Sequence, residues 1–365
     1  MKHDAQLPLR EHVPLAPYTT LGLGGPARYF AECASDDQVR AALAFGADRD
    51  LPVYLLGGGS NVVFQDAGFS GLVVRITIGG LDYREGPTPE VTAGAGVDWD
   101  TLVAGTVERG WTGIECLSGI PGTVGGTPIQ NVGAYGQEVA ETLVSVTCLD
   151  RTTLERKTFT AKDCAFGYRD SRFKREDRGR YVVLDVTFRL ARDRHPRIRY
   201  AELKNAVARV KALEAVAPAE GVRLVRDTVL ALRRGKSMVL DPNDPNTRSV
   251  GSFFTNPVLP AAAFAQLEAR WRTTQGEQAS PIPTFPADGG VKVPAAWLVE
   301  RAGFPKGLRR GGAGISSRHA LALVNYGGTT TELLALAEEV REGVHQKFGI
   351  RLEHEPEIVG SGGRE

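Results

Sequence analysis

Apolar residues along this chain fall into helical and alternating patterns, separated by glycine-rich breaks. Ser35-Asp36-Asp37-Gln38 has the form of a capping box, and Val39, Ala42 and Leu43 follow on one face, so a helix is predicted there. Residues 27–30 read as a strand. So do residues 52–56, Pro-Val-Tyr-Leu-Leu, which run into Gly57-Gly58-Gly59-Ser60-Asn61, and residues 73–76. Residues 98–109 carry Trp99, Leu102, Val103 and Val107 at helical spacing, with Gly110 as the stop. A strand is expected at 144–149. Leu184, Val186, Phe188 and Leu190 alternate with polar neighbours, as a half-buried strand does. Helical spacing returns at 200–217 through Leu203, Val207, Val210 and Leu213, in a short helix at 227–234, and at 261–271. A long final helix opens on the capping box Thr329-x-x-Glu332, carries Leu333, Leu336, Val340, Val344 and Phe348, and stops at Gly349.

Strands and helices in this irregular order predict an α+β protein rather than a βαβ series, with no internal repeat. At roughly 150 residues per domain, 365 residues suggest two or three domains. The expected boundaries fall near Ile78 and Met238, the second just before the turn-rich Asp241-Pro242-Asn243-Asp244-Pro245-Asn246. That gives segments 1–78, 79–237 and 238–350.

Charge and composition narrow the function. The net charge is +1, which argues against a nucleic-acid partner held by bulk charge. The arginines between Arg169 and Arg199 are interspersed with Asp170, Glu176, Asp177, Asp185 and Asp193, so most are expected on a solvated mixed-charge face. No apolar run suits a membrane span, and the N-terminal segment up to Pro17 lacks the apolar stretch of a signal peptide. Membrane insertion is therefore not expected, and a cytoplasmic protein is. Cys33, Cys116, Cys148 and Cys164 contain no C-x-x-C pair and read as free, buried thiols. His354-Glu355 begins like a zinc-binding H-E-x-x-H, but Ile358 stands at the fifth position; no metal centre is expected.

Several familiar motifs fail on context. Gly22-Leu23-Gly24-Gly25-Pro26-Ala27 fits a dinucleotide fingerprint but opens a strand instead of a helix. Gly235-Lys236-Ser237 lacks the upstream glycine of a P-loop, Leu230 standing there. Ser171-x-x-Lys174 has none of the partner motifs of acylating enzymes. Two glycine loops remain. Forty-three glycines, well above the usual ~7%, concentrate in discrete loops, densest at residues 118–136. Each loop pairs glycines with small hydrogen-bonding residues, Ser60 and Asn61 in one, Thr123, Thr127 and Asn131 in the other. Successive amides there could form a nest for a diphosphate; two tight structural turns would look the same.

Residues 56–64, L-G-G-G-S-N-V-V-F, followed by residues 120–136, I-P-G-T-V-G-G-T-P-I-Q-N-V-G-A-Y-G, resemble the UDP-N-acetylenolpyruvoylglucosamine reductase family. Gly167-Tyr168-Arg169-Asp170-Ser171, Gly251-Ser252-Phe253-Phe254-x-Asn256-Pro257, His319 to Asn325 and Leu352-Glu353-His354-Glu355 agree in order, and the likeness runs over nearly the whole chain. It implies a vanillyl-alcohol-oxidase-type FAD-binding fold: two flavin-binding subdomains, 1–78 (with 351–365 returning to it) and 79–237, and a C-terminal α+β substrate-binding subdomain, 238–350. It implies FAD held by Leu56, Gly57, Gly58, Gly59, Ser60, Asn61, Val62, Ile120, Pro121, Gly122, Gly125, Gly126, Asn131, Gly133, Ala134 and Tyr168. No histidine lies between Val13 and Arg194, so the flavin is expected to be non-covalent.

The implied reaction uses NADPH to reduce the enolpyruvyl ether of a UDP-sugar to UDP-N-acetylmuramate for peptidoglycan. Hydride reaches the terminal vinyl carbon by way of the flavin. Charge then develops as an enolate, and the neighbouring carbon takes a proton. By position Ser252 is the proton donor, Arg169 stabilises the enolate, and Glu355 supports it, with a raised pKa expected. This chain has Pro356 and Glu357 where Val-Arg is usual, so Glu353 and Glu357 stay open as alternatives to Glu355. Thr255 stands where a lysine is common. Tyr200, Lys236 and Asn256 match the phosphate-binding positions of the longer-loop branch, to which the 200–234 segment assigns the chain. A monomer is expected.

Overall fold

The structure, a computed structural model, describes residues 7–276 and 280–364. The first part of the N-terminal segment read above lies outside them. The chain divides into two units. Unit 1 takes residues 7–13, 27–59 and 69–239; unit 2 takes residues 14–26, 60–68 and 240–364, within the described residues.

Unit 1 contains two large sheets and the two-stranded ribbon Gly133–Ala134 with Gln137–Glu138. The first has the order Leu9–Pro14, Pro26–Cys33, Phe69–Ile76, Val53–Leu56, with Phe69–Ile76 parallel to both neighbours. The central strand Phe69–Ile76 shows weak alternation because it is buried almost continuously, as parallel strands usually are. The second sheet is antiparallel throughout, in the order Arg156–Thr160, Leu143–Asp150, Tyr181–Arg189, Glu90–Gly94, Leu81–Arg84. Helices Asp36–Ala47 and Trp99–Glu108 bury Val39, Ala42, Leu43, Leu102, Val103 and Val107 in one apolar cluster with both sheets. Full burial of each aliphatic side chain of this size is worth about 1.5–3 kcal/mol. Trp99 is fully buried. Its ring meets Phe188 edge-on at 5.7 Å and its Nε1 donates to the Leu117 carbonyl at 3.0 Å.

Both predicted caps are present. Ser35 Oγ accepts from the Gln38 amide at 3.3 Å while Gln38 Oε1 accepts from Ala34 at 2.8 Å. In unit 2 the helix Thr330–Phe348 has reciprocal bonds between Thr329 and Glu332 and ends at Gly349 with φ +73°.

The helix expected over 200–217 is corrected. It runs only as Ala201–Val210, Lys211 is extended, and a 3-10 turn Leu213–Ala215 follows. Val210, expected inward, is 68% exposed. A second helix, Pro218–Gly235, replaces the short one expected at 227–234. The cause is Pro218, which drives Ala217 to ψ 150° and supplies the first helical residue.

Unit 2 is built from three small three-stranded sheets packed with the helices Ala261–Gln275, Ala295–Ala302 and Thr330–Phe348. One of these sheets joins distant parts of the sequence: Val62–Phe64 runs parallel to Glu357–Gly360. The Asp66 carboxylate then accepts from the Thr330 amide (2.9 Å) and from the Thr331 amide (2.9 Å) and hydroxyl (2.7 Å) at the start of the long helix. Burial alone would raise the Asp66 pKa, but the bonds from Thr331 and Thr330 outweigh it and hold it below the usual value.

All four cysteines are buried and unpaired, as expected. Burial pushes the Cys33 and Cys164 thiols up to about 12, which keeps them protonated. No helix among the described residues is long and apolar enough to cross a membrane.

Candidate active site

In unit 1 the two glycine loops lie side by side in close contact. A Cβ placed on Gly58 would stand 2.7 Å from Gly122 Cα and 3.2 Å from the Thr123 amide nitrogen; one on Gly57 would stand 2.8 Å from Thr123 Oγ1. Only glycine allows that approach. Gly59 and Gly122 also have φ of +64° and +120°. Among the described residues the amides of Gly57, Gly58 and Gly59 make no hydrogen bond. The second loop differs from the simple nest. The amides of Val124 and Gly125 donate inward to Val97 and Ala95 carbonyls, both at 2.9 Å, and Gly126 donates to Thr123. These bonds fix the loop on the 95–97 turn, while Gly126 faces open space. The bare ridge at 57–59 and 122 fits a diphosphate of a dinucleotide such as FAD, with Gly57–Gly59 as amide donors. Leu56 is buried at the end of its strand, and Ile120 and Pro121 are half-buried at the entry to the second loop.

Asn131 is bonded within the protein. It is buried, adopts φ +42°, and its Nδ2 donates to Glu138 Oε2 (2.7 Å) and to the Gly167 carbonyl (2.8 Å), while Oδ1 accepts from Ala140 (3.2 Å). Its side chain therefore ties the Gly133–Ala134 turn to the tight turn Gly167–Asp170. That second turn presents Tyr168, 40% exposed, and Arg169 at φ +54°. Arg169 Nη2 donates to the Gly133 carbonyl at 2.6 Å, and Lys174 holds the Arg169 carbonyl at 2.8 Å. Asp170 pairs with Arg175.

Tyr200 and Lys236 come together in unit 1 around helix Ala201–Val210. Tyr200, 42% exposed, precedes the helix and meets Tyr135 edge-on at 5.7 Å. Lys236 pairs with Glu202 at 2.7 Å. Burial raises the Tyr135 pKa to about 12, the nearby Arg233 charge opposing it. Sequence reading missed the brace beneath this region. Arg226 clasps Asp100 through two bonds of 2.7 and 2.8 Å, and Asp100 also accepts from the Gly119 amide at 2.6 Å. Burial opposes ionisation of Asp100, but the Arg226 and Gly119 bonds prevail and lower its pKa. Glu115 is equally hidden in sequence. It is fully buried, accepting from Thr112 (3.0 Å), the Gly113 amide (2.6 Å) and Gln137 (2.9 Å). No local spacing announces the grip of Arg226 on Asp100 or of Gln137 on Glu115, because those partners are far apart in the chain.

Unit 2 gathers Ser252, Glu355 and Asn61. Ser252 is half-buried between Gly251, at φ +75°, and the fully buried Phe253. The Glu355 amide donates to the Phe253 carbonyl at 2.9 Å, Phe254 bridges His354, and the Thr255 amide donates to Glu353 at 3.0 Å. Asn61 Nδ2 donates to the Glu355 carbonyl at 3.3 Å, and Asn61 O accepts from Glu357 at 3.0 Å. Of the three carboxylates Glu353 is exposed, Glu355 and Glu357 are half-buried, and Glu357 is in register with Val62. Asn256 Oδ1 accepts from the Ala295 amide at 2.8 Å and so caps the helix Ala295–Ala302. Among the described residues no group of His, Cys, Asp and Glu could hold a metal.

Family models match two stretches. Residues 242–359 match the C-terminal domain of UDP-N-acetylenolpyruvoylglucosamine reductase, and residues 27–154 match an FAD-binding domain. A reductase of that name from Thermobifida fusca is 51% identical over 356 residues, covering 96% of this chain and 97% of its own. Another, from Streptomyces avermitilis, is 50% identical over 353 residues, covering 95% and 94%. The chain belongs to the UDP-N-acetylenolpyruvoylglucosamine reductase family. The solved reductase of Thermus caldophilus has the same fold, with a TM-score of 0.65 at 24% identity over 97% of this chain and 98% of that one. The expected α+β flavin-binding architecture with a C-terminal reductase domain is thus the fold of this family member. Arg169, Tyr200 and Lys236 fall between the two matched stretches, so their assignment rests on local sequence and on the geometry above.

Proposed function

We propose that this chain catalyses the NADPH-dependent reduction of a UDP-N-acetylglucosamine enolpyruvyl ether to UDP-N-acetylmuramate in peptidoglycan precursor synthesis, with dissociable FAD. The observation that carries this reading is identity of about half over nearly the full length of reductases of that name. Bound FAD supplies the hydride relay from NADPH to the terminal vinyl carbon. The balance is one hydride and one proton added across the carbon–carbon double bond, with NADPH becoming NADP⁺.

The chain's own residues bind the reactants and manage charge. The amides of Gly57–Gly59 and the bare ridge at Gly122 hold the flavin diphosphate. The side chain of Asn131 shapes the turn that carries Tyr168 and Arg169. Arg169 stabilises the enolate by charge-assisted hydrogen bonds, a type roughly twice as strong as neutral ones. Ser252 gives the proton to the carbon next to the carboxylate, and Glu355, favoured over Glu353 and Glu357, supports the enolate in a protonated form. Tyr200, Lys236 and Asn256 hold the substrate phosphates, Lys236 exchanging Glu202 for phosphate. Residues 1–78 with 351–365, and 79–237, serve as the flavin-binding subdomains, and 238–350 binds the sugar nucleotide. The enzyme acts as a cytoplasmic monomer.

Anaerobic half-reactions on Ser252→Ala test this reading. NADPH is expected to bleach the flavin normally, while reoxidation by the enolpyruvyl substrate slows by about 10²–10⁴-fold, the usual range for a lost general acid. Normal reoxidation would remove Ser252 from the mechanism.

A further inference from the structure

Between the antiparallel bridge Thr112–Ala191 and Tyr200 the chain runs as an extended strap, residues 192–199. The strap forms one wall of a cleft of about 370 Å³, within the range of small-molecule sites. Most of the arginines read as a solvated mixed-charge face are paired there. Arg189 meets Glu90 at 2.8 Å, Arg192 meets Asp193 at 3.2 Å and Glu85 at 3.6 Å, and Arg199 meets Glu141 at 2.8 Å. Arg194 and Arg197 also line the cleft, and neither has an ion-pair or hydrogen-bond partner among the described residues. Glu85, Glu90, Glu141 and Asp193 are each paired with one of the other arginines.

The backbone carrying these two cations is held in place. Ala191 and Thr112 exchange amide bonds of 2.8 and 3.0 Å, and Arg199 Nη1 donates to the Gly136 carbonyl at 3.2 Å. Midway, Pro196 is buried, and its Cδ lies 3.4 Å from where a Cβ on Gly221 would stand. The strap therefore lies close on helix Pro218–Gly235, and little backbone freedom remains to be lost on binding.

We propose that this cleft binds a multiply charged phosphoanion, a diphosphate or phosphate ester, through Arg194 and Arg197. Guanidinium forks match phosphate oxygens two at a time, and two uncommitted forks on one short segment favour a polyanion over a lone carboxylate. Leu190, Ala191 and Pro87 give apolar wall for the remainder of an ester. No Phe, Tyr or Trp lines the cleft, so it lacks the stacking platform of a single-stranded nucleic-acid site. None of these residues has a role in the reductase reading, and the site does not depend on it.

The test is calorimetric titration of sodium pyrophosphate into the holoenzyme at matched ionic strength. It is run on wild type, on Arg194→Ala/Arg197→Ala, and on Lys236→Met, which disables the substrate-phosphate position. Binding is expected in wild type and in Lys236→Met, and is expected to weaken by about tenfold or more in the double arginine variant, the effect of losing charge-assisted bonds. The double variant should keep NADPH-dependent turnover within about twofold of wild type, as surface substitutions usually do. Arg194→Lys/Arg197→Lys, which keeps the charge but loses the forks, should fall between. Absence of pyrophosphate binding, equal binding by the arginine variant, or loss confined to Lys236→Met would overturn the proposal. Tighter arginine-dependent binding of a single-stranded oligonucleotide than of pyrophosphate would also overturn it.

Discussion

The glycine ridge of unit 1 and the Ser252–Glu355 ladder of unit 2 place chemistry by opposite means. At Gly57, Gly58 and Gly122 the site is made by removing side chains, so that two backbones can approach and amides stay open. At Ser252 the site is made by anchoring. Phe253 and Phe254 are buried, His354 packs against both rings at 5.3 and 5.7 Å, and backbone bonds at 253 and 255 fix the register with 353–355. A loop of the first kind fails when atoms are added. A ladder of the second kind tolerates change at the reacting residue but not in the residues that pin it. This is why Ser252→Ala should separate chemistry from folding, whereas no such clean substitution exists on the ridge.

The largest further effect is expected from the ridge. Gly58→Val puts its Cβ within 3.0 Å of two backbone atoms of Gly122, which cannot swing aside. The purified protein should be colourless and should bind added FAD about 100-fold or more weakly, since a misplaced loop forfeits several amide bonds. Wild-type flavin content would break the contrast. The brace comes next. Arg226→Met should lower the stability of unit 1 by about 1–3 kcal/mol in denaturant unfolding, because Asp100 keeps its half-buried charge and loses two bonds. Flavin content should fall with it, since Asp100 also holds Gly119. A stability change without any flavin change would separate the brace from the ridge.

Smaller effects belong to unit 2. Asp66→Ala removes the acceptor for the first amides of helix Thr330–Phe348 and should cost about 1 kcal/mol, the usual worth of an N-cap. The smallest is a pH effect. Burial, aided by the Arg341 charge and opposed by Glu338, holds the His354 pKa below its ordinary 6.5. The unfolded chain therefore takes up the proton first as pH falls through 6.5, and the native state loses stability on acidification below that value. His354→Phe should flatten the dependence of Tm on pH between about 7 and 5.5, in the range where ordinary histidine titrates. An unchanged slope would assign the acid sensitivity elsewhere. Asp66 and Asp100, with lowered pKa values, lose their contributions only below the ordinary carboxylate range.

Features specified within one turn of chain were legible. The cap at Ser35, the box at Thr329 and the stop at Gly349 depend on residues three or four apart, and the structure shows each of them, with Gln38 reaching back to Ala34 rather than to Ser35. Pro218 was equally local, and its consequence for Ala217 could have been read. The α+β class and the four free thiols followed from pattern and composition. What escaped was set by distant partners: Arg226 on Asp100, Glu202 on Lys236, and the inward amides of Val124 and Gly125. The last pair shows the limit most sharply. A glycine-rich motif reports that backbone comes close to something, and it does not report whether the amides face a ligand or the protein.

The strand Val62–Phe64 has a consequence for how the molecule is made. Its partner Glu357–Gly360 is translated long after it. During synthesis three apolar residues, Val62, Val63 and Phe64, stay an open edge of the kind that recruits foreign strands. Closure of that edge therefore waits until Glu357–Gly360 has been made, and the nascent chain carries the exposed strand through the synthesis of everything between.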